Sequence, residues 1–231
     1  MSRFAVALVC AACLLGCSGD RQAREQIRKV TRRRTGELQR QARLDRDEDR
    51  AAENYDGADF AGTVLSNAAS SFQRASFDSA NLADAKLNGS FQLASFVNAD
   101  LSGAELAGSF QCACFDNASL VNATLSGEGS SFQAASFVAA DLSGASIKGN
   151  FQCARFAGAK LVGATVLDSG GPAFQGMDID GSWFEGADLS KITRRTLESC
   201  FFGTPPSYDE ETRFPQGFNP RRQGWTSRRA Q

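Results

Sequence analysis

Residues 91–108 read FQLASFVNADLSGAELAG. A large apolar residue recurs at every fifth position, at Phe91, Phe96, Leu101 and Leu106. Small residues stand two positions before the next large one, at Ala94, Ala99 and Ala104. A period of five matches neither a helix, about 3.6, nor a plain strand, about 2. It describes a chain that winds round an axis and turns a corner at each unit.

Working outward from this stretch, the units group in fours. Phe72, Phe77, Leu82 and Leu87 precede it; Phe110, Phe115, Leu120 and Leu125 follow. The series continues through Phe132, Phe137, Leu142, Ile147, then Phe151, Phe156, Leu161, Val166, then Phe174, Ile179, Phe184, Leu189. Phe60 and Leu65 read as the last half of an earlier turn. The irregular step always separates the fourth large residue from the next first one. It is short at 87→91, 106→110 and 147→151, and long at 65→72, 125→132 and 166→174. Four units therefore make one turn of a four-sided coil, and turns stack at the strand spacing of about 4.8 Å. The core is expected to have an aromatic side and an aliphatic side. Ala is needed between the large residues because the interior is narrow, and insertions are confined to one corner.

The units ANLAD, ADLSG, ASLVN and ADLSK carry a resemblance to the pentapeptide-repeat family, whose units read roughly A-(D/N)-L-x-x. The resemblance covers about residues 55–192. It implies an all-β fold, a right-handed quadrilateral β-helix, here with about six to seven coils.

The flanks divide the remaining chain into three parts: 1–16, 17–54 and 193–231. In residues 1–16, Arg3 supplies a short positive start before the apolar run Phe4–Leu15, which is too short to span a bilayer as a helix and suited to an export signal. Leu14-Leu15-Gly16-Cys17 resembles a bacterial lipobox, which implies that Cys17 is lipidated and becomes the mature N-terminus. Ser18 after the Cys implies passage to the outer membrane, facing the periplasm. Residues 20–53 carry eleven Arg or Lys and few large apolar residues, so a solvated tether is expected, with a polybasic arm against an anionic surface as the competing reading. A short helix is expected within 192–202. Beyond it, Tyr208, Thr212, Phe214, Pro215, Phe218, Pro220 and Trp225 resemble a segment often found after such repeats. Phe201, Phe202, Phe214, Phe218 and Trp225 are expected to cap the last turn; a homodimer contact through the same aromatics is the alternative.

The chain has no histidine, which removes Ser-His-Asp and Cys-His catalysis and His-ligated metal sites. No catalytic residues, cofactor or conventional enzyme activity are expected. Asp100, Asp141 and Asp188 are read as one outward, solvated column. Of the seven cysteines, Cys10 and Cys13 fall in the signal, leaving Cys112, Cys114, Cys153 and Cys200 beside the lipidated Cys17. Cys112 and Cys114 are weak candidates for a soft metal ion or for oxidation, against the plainer reading of thiols packed on the rod wall. Gln73, Gln92, Gln111, Gln133, Gln152 and Gln175 each follow the first Phe of a turn. They are expected to form an amide ladder, or a polar strip that meets a partner.

The total formal charge of −1 hides a division: residues 55–192 hold fourteen Asp or Glu and six Lys or Arg, a net of −8. An acidic rod repels nucleic acid and attracts a basic protein groove. Some members of the family imitate duplex DNA and bind DNA gyrase, which the resemblance offers as a cytoplasmic alternative. The export signal favours a non-enzymatic, lipid-anchored protein of the cell envelope that reaches the membrane through Cys17 and binds another protein, with a thiol redox or metal module as a lower alternative.

Overall fold

The computed structural model describes residues 53–66, 72–126, 131–167 and 174–228. The export signal, Cys17 and the basic arm lie outside the described residues.

Each five-residue unit ends in a turn. Ala85 N–H donates to Leu82 O at 3.1 Å, and Asp84 between them has φ 56°. That is the type II arrangement, which requires a positive φ at its third residue. The same geometry recurs at Ser79, Asn98, Asn117 and Asn122, and at several glycines. Leu points inward at the first turn position and Ala at the fourth, which explains the Ala-x-Leu grammar of the sequence.

Between turns the chain is extended for one or two residues and bridges the coil above and below. Asn81 N–H donates to Ala58 O at 2.9 Å, and Leu82 N–H donates to Asp100 O at 2.6 Å. These bonds satisfy the buried backbone from level to level. On the fourth wall the bridges lengthen into strands: β1 (Val64–Ser66), β2 (Lys86–Asn88), β3 (Glu105–Leu106), β4 (Thr124–Leu125), β5 (Ser146–Lys148), β6 (Thr165–Leu167) and β7 (Asp188–Lys191). They form a parallel sheet in chain order with Leu65, Leu87, Leu106, Leu125 and Ile147 in register. The fold is thus all-β, a four-sided parallel solenoid.

Inside, the first and second walls contribute two columns of rings. One is Phe72, Phe91, Phe110, Phe132, Phe151 and Phe174, with neighbouring centroids between 4.6 and 5.3 Å apart. The other is Tyr55, Phe77, Phe96, Phe115, Phe137 and Phe156, at 4.8 to 5.1 Å. The ring spacing equals the strand spacing, so backbone ladder and stacking reinforce each other. Leu, Ile and Val fill the opposite two walls, and the core Ala residues between them are almost completely buried.

The expectation of six to seven coils is too low. One line of bridges runs Asn54, Ser76, Ser95, Cys114, Ser136, Arg155, Asp178, Phe201, giving about eight turns. Two facts account for the difference. Tyr55 takes an aromatic place in the first turn by stacking on Phe77, so that turn has three walls. At the other end the winding continues past Ile192. After the short helix α1 (Arg194–Ser199), capped by Thr193 Oγ1 accepting from Thr196 N–H, Phe201 bridges Asp178, Ser207 bridges Trp183 and Arg213 bridges Asp188. These steps are six residues long instead of five, so the period fades while the ladder persists. A last bridge joins β8 (Ser207–Tyr208) to β9 (Thr226–Ser227). Trp225 then packs on Phe184 at 5.1 Å and on Phe214 at 5.5 Å, with Phe218 beside them.

Candidate interaction surface

With the core sealed, the chemistry of the rod lies on its walls. On the first wall, Gln133 Nε2 donates to Gln152 Oε1 at 2.9 Å, and Gln92 Nε2 to Gln111 Oε1 at 3.5 Å. Other amides turn to the serines that precede each Phe. Gln73 donates to Ser90 Oγ at 3.0 Å, Gln92 to Ser109 Oγ at 3.1 Å and Gln111 to Ser131 Oγ at 3.3 Å. The strip is therefore a mixed Gln–Ser network. Gln175, the last member of the series, is half-buried.

Corners between the first and second walls hold the thiols. Cys112 and Cys153 occupy equivalent positive-φ positions, with Ala134 between them, and Cys114 follows on the second wall. All are buried and none is in a disulfide. Among the described residues no group of His, Cys, Asp or Glu is placed to hold a metal ion. Cys200 is enclosed at the C-terminal end, and burial pushes its thiol up to about 12, so its thiolate is not populated at neutral pH.

Wall three presents Asp59, Asn81, Asp100, Ser119, Asp141, Lys160 and Trp183 in one line. Asp100 and Asp141 fold back locally, accepting from Ser102 N–H at 3.0 Å and Ser143 N–H at 3.1 Å. Burial pushes the Asp141 carboxyl up, but Ser143 and Lys160 outweigh it and hold the group below the ordinary value. Asp188 does not belong to this line. It lies on the fourth wall, bridged to Thr165 and Arg213, because the residue before the third-wall Phe184 is Trp183.

That Trp is a feature the sequence reading missed. Trp183 is exposed at an outward position, with Lys160 Nζ 5.8 Å and the Arg228 guanidinium 5.0 Å from its ring. Arg228 also lies 3.5 Å from Glu185 Oε1. The pair ties the end of the C-terminal segment to the wall. A Trp at an outward repeat position was the available signal.

A cavity of about 20 Å³ sits in the core between Phe156, Ile179, Phe184 and Leu189, where the second aromatic column gives way to Ile. Its lining is apolar and it lies within the packing, so it offers no recognition site.

Five-residue units, four to a turn, with parallel bridges through every level define a pentapeptide-repeat β-solenoid. No family model matches the sequence, and no curated protein matches it. Among solved structures, HetL, a pentapeptide-repeat protein involved in heterocyst differentiation regulation from Nostoc sp. strain PCC 7120, is 15% identical, covering 71% of this chain and 83% of that one at a TM-score of 0.25. Full-length QnrB1, a plasmid-mediated fluoroquinolone resistance protein, is 16% identical, covering 77% and 79% at 0.30. A pentapeptide-repeat protein of the Arabidopsis thaliana thylakoid lumen is 26% identical, covering 49% and 61% at 0.13. Identification of the fold rests on the geometry of this chain itself.

Proposed function

We propose that the protein is a non-enzymatic, lipid-anchored component of the cell envelope whose acidic rod engages another protein. The observation that carries this reading is the sequence Leu14-Leu15-Gly16-Cys17 after an apolar run, which lies outside the described residues. The rod supports it by offering polar walls around a closed apolar core. Ser18 favours the outer membrane, facing the periplasm. Metabolic labelling with a palmitate analogue tests the anchor: the wild type is expected to carry the label and Cys17→Ala to lose it. An unlabelled wild type recovered in the cytoplasm overturns the reading.

The net charge of −8 over residues 55–192 favours a second reading, a cytoplasmic DNA mimic that binds DNA gyrase. A supercoiling assay decides it. Protection or inhibition of gyrase by the purified protein supports this alternative, and no effect at excess protein removes it.

A further inference from the structure

The two ends of the rod are finished differently. At the first coil, β1 is the edge of the seven-stranded sheet, and Val64 on it is 63% exposed. Tyr55, Phe60 and Leu65 occupy inward columns yet are only half-buried, whereas Phe77, Leu82 and Leu87 one level below are fully buried. Lys86, Glu105 and Thr124 each donate their N–H to the level above, to Thr63 O, Ala85 O and Ala104 O at 2.8 to 2.9 Å. Val64 heads that line, so its N–H points off the end of the ladder. At the far end, walls two and four stop at Phe201 and Arg213, but wall three runs one rung further, from Trp183 through Ser207 to Thr226. Thr226 N–H donates to Pro206 O at 2.9 Å, as Ser207 N–H donates to Ser182 O one level above. Trp225, just before it, is buried against Phe184. Arg228, just after it, donates its N–H to Tyr208 O at 2.7 Å. Its side chain faces Glu185, whose two carboxylate oxygens are buried and accept no hydrogen bond among the described residues.

We infer that residues 224–228 are a stop, occupying the place where the first coil of a second copy would otherwise continue the ladder head to tail. Thr226 stands under Ser207, where Asp59 of another copy would stand, since both belong to the wall-three line. Trp225 covers the end of the core that the half-buried rings of that coil would cover. A head-to-tail contact keeps every strand parallel, as it is within the rod. Charge selects the same pairing. Residues 53–66 carry Glu53, Asp56 and Asp59 and no basic residue, while residues 193–228 carry six Arg against four acidic residues. Unlike ends attract, and two first coils repel. A contact of this kind does not close on itself, so an uncovered end would propagate into a fibre. Arg228, set against Trp183 and Glu185, holds the stop in place. The inference depends neither on the lipid anchor nor on the partner proposed above.

Light scattering of the full chain in mild detergent tests it, with Cys17→Ala in every sample so that no lipid contributes. The otherwise unaltered protein is expected to be a single copy. Thr226→Pro removes the N–H given to Pro206 O, and Arg228→Glu sets a carboxylate against Glu185; together they open the stop. The opened variant is expected to gain mass with concentration, at least about twofold, as an unclosed contact requires. Adding Val64→Pro removes the donor at the opposite edge, where proline is tolerated, and is expected to restore the single copy. An opened variant that stays single, or association that survives Val64→Pro, as the aggregation of an unfolded chain would, overturns the inference. A second measurement reads the geometry. A benzophenone amino acid at Ala61 of the opened variant is irradiated in a mixture of isotope-labelled and unlabelled copies. Cross-links between copies to residues 201–214 support the inference; cross-links to residues 53–66 of the other copy, or none between copies, overturn it.

Discussion

The rings of Phe96 and Phe115 lie 4.8 Å apart and within 3° of parallel, although nineteen positions separate them in the chain. One turn of the solenoid brings them together, and each touches equivalents above and below. The column is continuous, so removing the Phe115 ring breaks two stacks, to Phe96 and Phe137, and a tilted contact to Phe110. Phe115→Ala is expected to lower the unfolding free energy by about 3–5 kcal/mol, through lost burial and a cavity that the rigid ladder cannot close. Phe60→Ala, in the first turn where the ring is half-buried, is expected to cost clearly less. Urea unfolding of the two variants checks the order.

Gly108 marks the short corner. A Cβ there would stand 2.3 Å from Gly89 O in the turn above, and both glycines sit where the step between units drops from five residues to four. Gly108→Ala is therefore expected to destabilise by about 1–3 kcal/mol. Gly158→Ala makes a control at an open corner: its Cβ meets nothing within 4 Å, leaving the strain of φ 68° as the cost. Thermal melts that rank the control as the worse variant would contradict the packing argument.

Ile179 ends the second aromatic column, directly over the small cavity. Ile179→Phe is expected to extend the stack from Phe156 and fill the space, raising stability by about 0.5–2 kcal/mol. A lower melting temperature would mean that the site is already fully packed.

Acid sensitivity should centre on the C-terminal coil. Burial pushes the Asp209 carboxyl up, but the Gly186, Glu211 and Thr212 N–H groups and the Thr212 hydroxyl prevail and hold it below its ordinary value of 3.8. A carboxylate with a lowered value contributes stability above the ordinary value, and that contribution fades as pH falls through the lowered one. Asp141 and Asp188 act in the same sense; Asp188 is lowered chiefly by Ser190. Asp209→Asn keeps an oxygen acceptor but cannot titrate. Its melting temperature is expected to fall less than that of the wild type between about pH 6 and pH 3. Equal falls would remove Asp209 as a contributor.

The sequence made the interior legible because burial demands a residue type at each inward position. Phe91, Leu101 and Ala94 could be placed before any coordinates, and Leu87 and Leu106 fell in register as the spacing required. The ends were harder. Tyr55 replaces Phe in its column without announcing a repeat, and Ser207 and Arg213 keep the ladder through six-residue steps, since bridges need backbone groups and not a motif. Outward positions carry weaker constraints still. Asp188 looked like a partner of Asp100 and Asp141 until the wall was counted from Trp183. The pairing of Trp183 with Arg228 joins residues whose proximity no period encodes.

The Ser76–Ser95 and Cys114–Ser136 bridges show what the variable corner achieves. Nineteen residues separate the first pair and twenty-two the second, yet both sit in the same line. Between Phe72 and Leu189 extra chain is taken up along a single margin, and three sides keep the five-residue step. Such a margin uncouples growth from alignment: segments of foreign sequence could be spliced there, turn by turn, and the remaining walls would display the same pattern as before.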